Sequence, residues 1–277
     1  MAIAMTKGYS EQTAGAKLCI DLASDWGAEC ISALDVNENV FLMDYGAADG
    51  GTASEFWEKI INQIQAKNKS SEITLIGNDL YSNDNQALIK NLSIQSKNNE
   101  LVKTLLCAGS FYDHLVPTGF IDFGFSATAM HWLNKKVESL NDHTHVLASS
   151  NQNARNDFLK QALFDWNQIL EIRSKELKIG GKLLTVNLSR DDQNRYLGNN
   201  GGKTVNVHDE IHSIWKELLE ENHISEAEYQ KGTIQNFYKS PKEFISPLIE
   251  KDSGAFKNGL RLIKERTVYV DLSLIHI

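Results

Sequence analysis

The sequence predicts an α/β fold, a doubly wound parallel sheet with a mostly helical cap. Two observations predict the sheet: five short apolar runs alternate with helical stretches, and the runs end in loops rich in glycine, aspartate and asparagine. A third predicts the cap: after residue 188 helical patterns dominate. A chain of 277 residues, 42% hydrophobic and 23% charged, is long enough to bury a full core as one large domain or as a domain with a cap.

The first strand runs from Val40 to Tyr45 and passes through Gly46-Ala-Ala-Asp-Gly-Gly-Thr52 into a helical stretch over 53–67. Glycines there let the backbone take positive φ and lie against a ligand. Further strands are expected at Ile73 to Gly77, Leu101 to Ala108, Phe120 to Ser126 and Lys182 to Asn187, with helices near 84–97 and 154–178. In the last helix Phe158, Ala162, Trp166, Ile169, Arg173 and Leu177 fall at three- and four-residue steps, a stripe for packing on the sheet, and Gly180-Gly181 reads as its stop. Ser189 to Asn206, with Asn199-Asn-Gly-Gly202, reads as a surface excursion leading into a helix over His208 to Glu221. Pro241 and Pro247 mark a short turn or helix start. Phe256 to Leu262 and Arg266 to Leu274 read as two strands, and Ser273-Leu-Ile-His-Ile277 stops without a polar tail, as a truncated reading frame would. The expected organisation is a core over 1–188, a helical cap over 189–254 and an incomplete return to the core sheet over 255–277.

A formal charge of −8 and the lack of any Lys/Arg cluster argue against a nucleic-acid surface and leave small-molecule or protein partners. No stretch approaches the roughly 20 apolar residues of a membrane helix. The N-terminus lacks a signal peptide's order of basic then apolar segments, so a cytoplasmic protein with no membrane partner is expected. Cys19, Cys30 and Cys107 are widely spaced with no Cys-x-x-Cys pair; buried, reduced thiols are expected, with no disulfide frame and no metal site.

Four motifs stand at strand ends, the edge where open α/β sheets bind ligands. Asp44 and Asp49 flank the first glycine turn. Two acids disfavour a pyrophosphate and suit a cationic or hydroxyl-bearing ligand, which favours S-adenosylmethionine. The Gly-x-Gly-x-x-Gly order of nicotinamide enzymes is absent. In Leu75-Ile-Gly-Asn-Asp-Leu-Tyr-Ser-Asn-Asp-Asn85, Asp79 either accepts both hydroxyls of a ribose or makes a local turn, with Ser82, Asn83 or Asp84 capping the next helix. In Gly109-Ser-Phe-Tyr-Asp-His-Leu-Val-Pro117, Ser110 can bond a ligand's polar edge and Phe111 or Tyr112 can stack on adenine, or the aromatics close the core. In Phe125-Ser-Ala-Thr-Ala-Met-His-Trp-Leu133, His131 and Trp132 either clamp a small carboxylate with their N–H donors or pack. A parallel sheet brings all four ends into one pocket.

At these residues the chain resembles the SABATH methyltransferases, the salicylate, benzoate, jasmonate and caffeine-pathway family. Asp44-Tyr-Gly46 is similar to its Asp-Leu-Gly turn, Asn78-Asp-Leu-Tyr-Ser-Asn-Asp84 to its Asn-Asp-Leu-Pro-x-Asn-Asp block, and Gly109-Ser-Phe-Tyr112 with Ser126-Ala-Thr-Ala-Met-His-Trp-Leu133 to its Gly-Ser-Phe-Tyr and Ser-x-x-x-His-Trp-Leu blocks. Looser similarity runs through Phe158 to Gly181 and Trp215 to Phe256, including Phe237-Tyr-Lys-Ser-Pro241. The resemblance implies a Rossmann-like class I methyltransferase sheet, working as a homodimer. It implies that Asp44, Gly46, Thr52, Asp79, Leu80, Ser110 and Phe111 hold S-adenosylmethionine, with Asp79 on the ribose. Tyr9, in Lys7-Gly-Tyr-Ser-Glu-Gln12, would lie over the cofactor and near the substrate, which Thr128, His131 and Trp132 would meet. Three departures stand out: Ala16, with Lys17 beside it, replaces a glutamine of the family's carboxylate clamp, Thr128 replaces a tyrosine, and Asp49 replaces a serine. The family's C-terminal elements are also cut short by several dozen residues.

The activity implied is methyl-ester formation on a small carboxylic acid, by in-line transfer with His131 and Trp132 as positioning donors. A carboxylic acid titrates near 4 and is already an anion at pH 7, so no general base is needed. N-methylation of a heterocycle suits the missing glutamine, and a non-catalytic cofactor-binding relative suits Ala16, Thr128 and the abrupt terminus; both readings stay open.

Overall fold

The computed structural model describes residues 5, 7–97, 99–197 and 206–270. Five parallel strands form the sheet, in the order β3-β2-β1-β4-β5: β1 Asn39–Tyr45, β2 Glu72–Asp79, β3 Val102–Ala108, β4 Ile121–Ala127 and β5 Leu177–Val186. This Rossmann-like order reverses direction between β1 and β4, which opens a crevice at the strands' carboxyl ends. The helices are α1 Tyr9–Gln12, α2 Ala14–Ser32, α3 Ser54–Lys67, α4 Asn85–Leu92, α5 Gln152–Glu176, α6 Val207–Glu220, α7 Glu226–Tyr229, α8 Pro241–Ile249 and α9 Gly254–Lys257.

Period-two alternation along β1 divides its side chains between two apolar layers. Val40 and Leu42 join Ile20, Ala23 and Ile31 of α2 and Phe56, Trp57, Ile60, Ile61 and Ile64 of α3, while Met43 and Tyr45 join Trp166, Ile169 and Leu170 of α5 on the other face. Both layers are predominantly apolar, as a sheet covered on both faces requires. A third cluster, with Leu133, Val146, Phe158, Ala162, Phe237 and Tyr238, seats the segments after β4 and β5 on the N-terminal half of α5. Helix starts follow side-chain chemistry: Asp84 accepts from the Ala87 N–H, Asn151 from Ala154, and Ser225 and Ser240 form capping boxes with Glu228 and Glu243.

The structure corrects three expectations and adds one helix. Gly180-Gly181 does not stop the helix, which ends at Glu176. The glycines lie inside β5, where the strand bulges between Leu177 and Lys182 opposite Ile121 and Phe123, and Gly180 takes φ +83°. The stretch from Phe256 does not return to the sheet: Gly254–Lys257 is helical, Ala255 is buried with Trp166, Ile169 and Leu170, and residues 260–270 form no strand. Their alternating pattern finds no strand to pair with among the described residues, and residues 271–277, like 198–205, lie outside them. Helix α2 had no sequence expectation. The three cysteines are free but only half buried. Among the described residues, no helix is long and apolar enough to cross a membrane.

Candidate active site

The candidate residues Asp44, Gly46, Thr52, Asp79, Leu80, Ser110, Phe111, Thr128, His131 and Trp132 lie at or just beyond the carboxyl edge of the sheet, and Tyr9 lies on the N-terminal segment. Asp44 is the sixth residue of β1 and shares Leu42's face, so its side chain meets α3, where the Trp57 indole N–H donates to Oδ2 at 2.7 Å. Burial pushes the Asp44 carboxyl up to about 7, and the charge of Asp79 acts in the same direction. Beyond β1 the N–H groups of Gly46 and Ala47 both donate to the Asn78 carbonyl at 2.9 Å. Gly46 has φ +73°, and a Cβ there would stand 2.6 Å from that of Ala129, so glycine is required for both conformation and space. Thr52 is buried just ahead of α3.

Asp79 closes this turn from β2. Its Oδ2 accepts the Ala48 N–H at 2.7 Å and its Oδ1 the Leu80 N–H at 2.8 Å, while Asn83 donates to the Ala48 carbonyl at 2.6 Å. Each carboxylate oxygen keeps lone-pair capacity for a further donor. Burial raises the Asp79 pKa, and the two backbone donors oppose the rise. Of the alternatives read from the sequence at this block, the structure shows the local turn, which Asp79 shapes, and the helix cap, which is Asp84.

The loop after β3 is held by charged residues that the sequence reading missed. Arg173 and Glu176, both fully buried on α5, pair at 2.9 Å. Arg173 donates to the carbonyls of Phe111 and Asp113 at 3.0 and 2.7 Å. Glu176 accepts the Leu115 N–H at 2.6 Å and the Tyr45 hydroxyl at 2.9 Å. Ser110 accepts the Tyr112 N–H at 3.2 Å. Half-buried Phe111 lies against Gly46, and Tyr112 turns inward to donate to the Trp132 carbonyl at 2.6 Å. Of the two aromatics, Phe111 is the one left beside the glycine turn.

After β4, Thr128 takes φ +50°, a strained conformation for a β-branched residue, and is tied to β5 by its N–H on the Val186 carbonyl at 2.8 Å. The Thr128 hydroxyl faces the half-buried phenol of Tyr9. His131 is buried with Nδ1 lacking a partner, and Trp132 keeps 37% of its surface exposed and bridges to Asn236. The imidazole lies 5.4 Å from the Trp132 ring and 5.6 Å from that of Tyr238. Burial, then the charge of Lys239, lower the His131 pKa to about 3, so the ring is neutral. Lys239 is itself buried, 5.0 Å from the Phe244 ring centre and 5.7 Å from that of Trp166, and burial brings its pKa down to about 8. Lys17 lies away from the site, in surface pairs with Asp21 and Glu55 at 3.0 and 3.1 Å.

Behind this wall four histidines stack in two pairs. His145 and His208 lie 3.8 Å apart at 7°, and His143 and His212 lie 4.3 Å apart at 30°. His208 Nε2 bonds the Tyr238 hydroxyl at 3.0 Å and His145 Nε2 bonds Asn236 Oδ1 at 2.8 Å. The pairs join α6 to the segment that follows Trp132.

A family model described as SAM dependent carboxyl methyltransferase matches residues 6–263. The salicylate carboxymethyltransferase of Clarkia breweri is 23% identical over 234 residues, 79% of this chain and 62% of its own length. The salicylate/benzoate carboxyl methyltransferase of Arabidopsis thaliana is 28% identical over 179 residues, 60% of this chain and 47% of its own. A probable jasmonic acid carboxyl methyltransferase of Theobroma cacao is 26% identical over 182 residues, 58% and 49%. The chain thus spans about half the length of these curated relatives. The solved structure of a loganic acid methyltransferase with SAH superposes with a TM-score of 0.70 over 87% of this chain and 73% of its own at 19% identity, a likeness of fold.

Proposed function

The chain belongs to the SAM-dependent carboxyl methyltransferase family, and we propose that it transfers the methyl group of S-adenosylmethionine to the carboxylate of a small organic acid, giving a methyl ester. The observation that carries this reading is the pair Asp44 and Asp79. A buried and a half-buried carboxylate stand at adjacent strand ends, each raised in pKa by burial, and no described cation acts on either. A ligand bearing a cationic amino acid end and ribose hydroxyls supplies what both lack.

In this reading Asp44 faces the cationic end of the donor and Asp79 takes the ribose hydroxyls. Phe111 and Leu80 flank the adenine, Gly46, Thr52 and Ser110 line the cradle, and Tyr9 lies over it beside Thr128. His131 and Trp132 turn N–H donors toward the substrate carboxylate. The carboxylate oxygen attacks the methyl carbon as the carbon–sulfur bond breaks, its electron pair leaving on sulfur, so no proton has to move. The chain's contribution is orientation in a dry pocket, worth up to roughly 7 to 11 kcal/mol. Lys239, a buried ammonium whose charge reaches His131, favours an anionic substrate. The reading carries with it a core over 1–188, a helical cap over 189–254, and a cytoplasmic homodimer.

Calorimetry with S-adenosylmethionine and a labelled-methyl screen over small carboxylic acids and purines test it. Binding that Asp79→Ala abolishes, with label lost in mild alkali, is expected. A chain that binds no donor overturns the reading. Alkali-stable label would favour N-methylation, the second reading, which Ala16 and Thr128 support because a neutral ring nitrogen needs no anion clamp. Binding without any transfer would mark a non-catalytic relative.

A further inference from the structure

The turn α1, which carries Tyr9, spans four residues and buries none of them. A single helical turn is not stable by itself, so something outside it must hold it. That anchor is Asp49. Its Oδ2 accepts both the Ser10 N–H and the Ser10 hydroxyl at 2.9 Å, and its Oδ1 accepts the Gly51 N–H at 3.1 Å. Asp49 is only 5% exposed, and Asn91 of α4 donates to its main-chain carbonyl at 2.7 Å, which fixes the anchor itself. Gly51 leaves room for the approach, since a Cβ there would collide with the Ser10 hydroxyl. Thr13 completes the segment by donating to the Tyr9 carbonyl at 2.7 Å.

We infer that Asp49 is a positioning residue: its carboxylate latches Ser10 and thereby holds Tyr9 over the donor and against Thr128. The inference rests on the methyltransferase reading above. Because the residue's oxygens face Ser10 and Gly51, it acts on the ligand only through the segment it fastens. A serine at this position would offer one hydroxyl and could not accept from these three donors with a charge. The latch is formed by Asp49 and Ser10 together. Losing it should free the segment, speed donor dissociation and raise the donor KM more than it lowers kcat, since the reacting groups stay in place.

The test compares wild type with Asp49→Ala, Asp49→Ser and Ser10→Ala by amide hydrogen exchange without ligand, donor dissociation rate, and steady-state kinetics. Losing a buried charge-assisted acceptor predicts roughly tenfold or faster exchange over 9–13 in Asp49→Ala, with a similar rise in donor dissociation and KM. Ser10→Ala, which keeps the backbone donor, should show a smaller change in the same direction, and the double variant Asp49→Ala/Ser10→Ala no more than Asp49→Ala alone. Unchanged exchange over 9–13 overturns the latch. Faster exchange with unchanged donor dissociation and KM makes Asp49 a structural tie only and overturns the positioning role. Should Asp49→Ala fail to fold, Ser10→Ala and Asp49→Ser decide by the same measurements. A wild type that binds no donor sinks the methyltransferase reading and with it the positioning role, while the exchange data still decide whether Asp49 fastens α1.

Discussion

Replacing Asp44 with asparagine should make the ligand-free protein more stable at pH 8 while removing its grip on the donor. The Asp44 carboxyl is 2% exposed, and its pKa climbs from 3.8 to about 7, chiefly through burial, against the opposing pull of the Trp57 indole N–H. Between those two values the folded protein keeps a proton that the unfolded chain has released. The stabilisation is thus fully present below pH 4 and is lost as pH rises to 7. About three pKa units at 1.36 kcal/mol each amount to about 4 kcal/mol. Asparagine has the same shape, still accepts the indole N–H and carries no charge, so it escapes this loss. With roughly 2.1 cal/mol/K of unfolding entropy per residue, a 277-residue chain gains roughly 7 °C in Tm from that difference. Thermal unfolding of both proteins, followed by circular dichroism in half-unit steps from pH 4 to 8.5, measures it. The Tm difference should open above pH 4 and level off above 7. A difference that stays flat across that range would refute the idea of a buried, proton-retaining carboxyl. Saturating donor should reverse the order at pH 8, because only the wild type offers a carboxylate to the cationic end.

Three further outcomes are expected. Arg173→Met leaves Glu176 buried without its partner, which should cost about 3 to 5 kcal/mol in urea unfolding and weaken donor binding by loosening 109–116. Lys239→Met should raise KM for an acid substrate about tenfold with donor affinity kept, and the wild-type KM should itself rise above pH 8, near the Lys239 pKa of about 8; an unchanged acid KM removes Lys239 from substrate recognition. Burial, with neighbouring imidazoles, holds His145 at about 2 and His208 at about 4, below the ordinary 6.5, so their contribution is present above pH 6.5 and lost as pH falls toward 4. His208→Phe, which keeps the stack against His145, Tyr196 and Tyr238 but cannot take a proton beside Asp209, should therefore lose less urea midpoint between pH 7 and 5 than the wild type.

Much of the sheet was legible because its apolar runs have no other stable destination. Val40 to Tyr45 and Phe120 to Ser126 are buried on both faces and read as strands from composition alone. The edge residues were legible for a related reason, since glycine, aspartate and asparagine after such runs mark turns at strand ends. Helix α2 was missed although Ile20, Ala23, Gly27 and Ile31 carry a three- and four-residue spacing, because polar and small residues dilute it. Arg173 and Glu176 could not be read as anchors: an arginine and a glutamate three apart on a helix look like a solvated pair, and only the fold brings Phe111 and Leu115 to them. The histidine stacks were hidden likewise, since 143 and 145 meet 208 and 212 only through the cap. At the other end, alternation from Arg266 onward mimics a strand, but a strand is made by its neighbour, and none is offered to 260–270 among the described residues.

Helix α5 carries 25 residues, roughly 37 Å of rigid rod, and passes into β5 without a connecting loop. Its first half seats the segments after β4 and β5 through Phe158 and Ala162. Its last turn grips the loop after β3, and the strand it becomes holds Thr128. The cluster around Phe158, the loop after β3 and the turn at Thr128 are thus mounted on one helix and the strand that continues it. An insertion at the Glu176–Leu177 junction would therefore shift the Thr128 mount on β5 against the two mounts on α5, which would keep their own spacing.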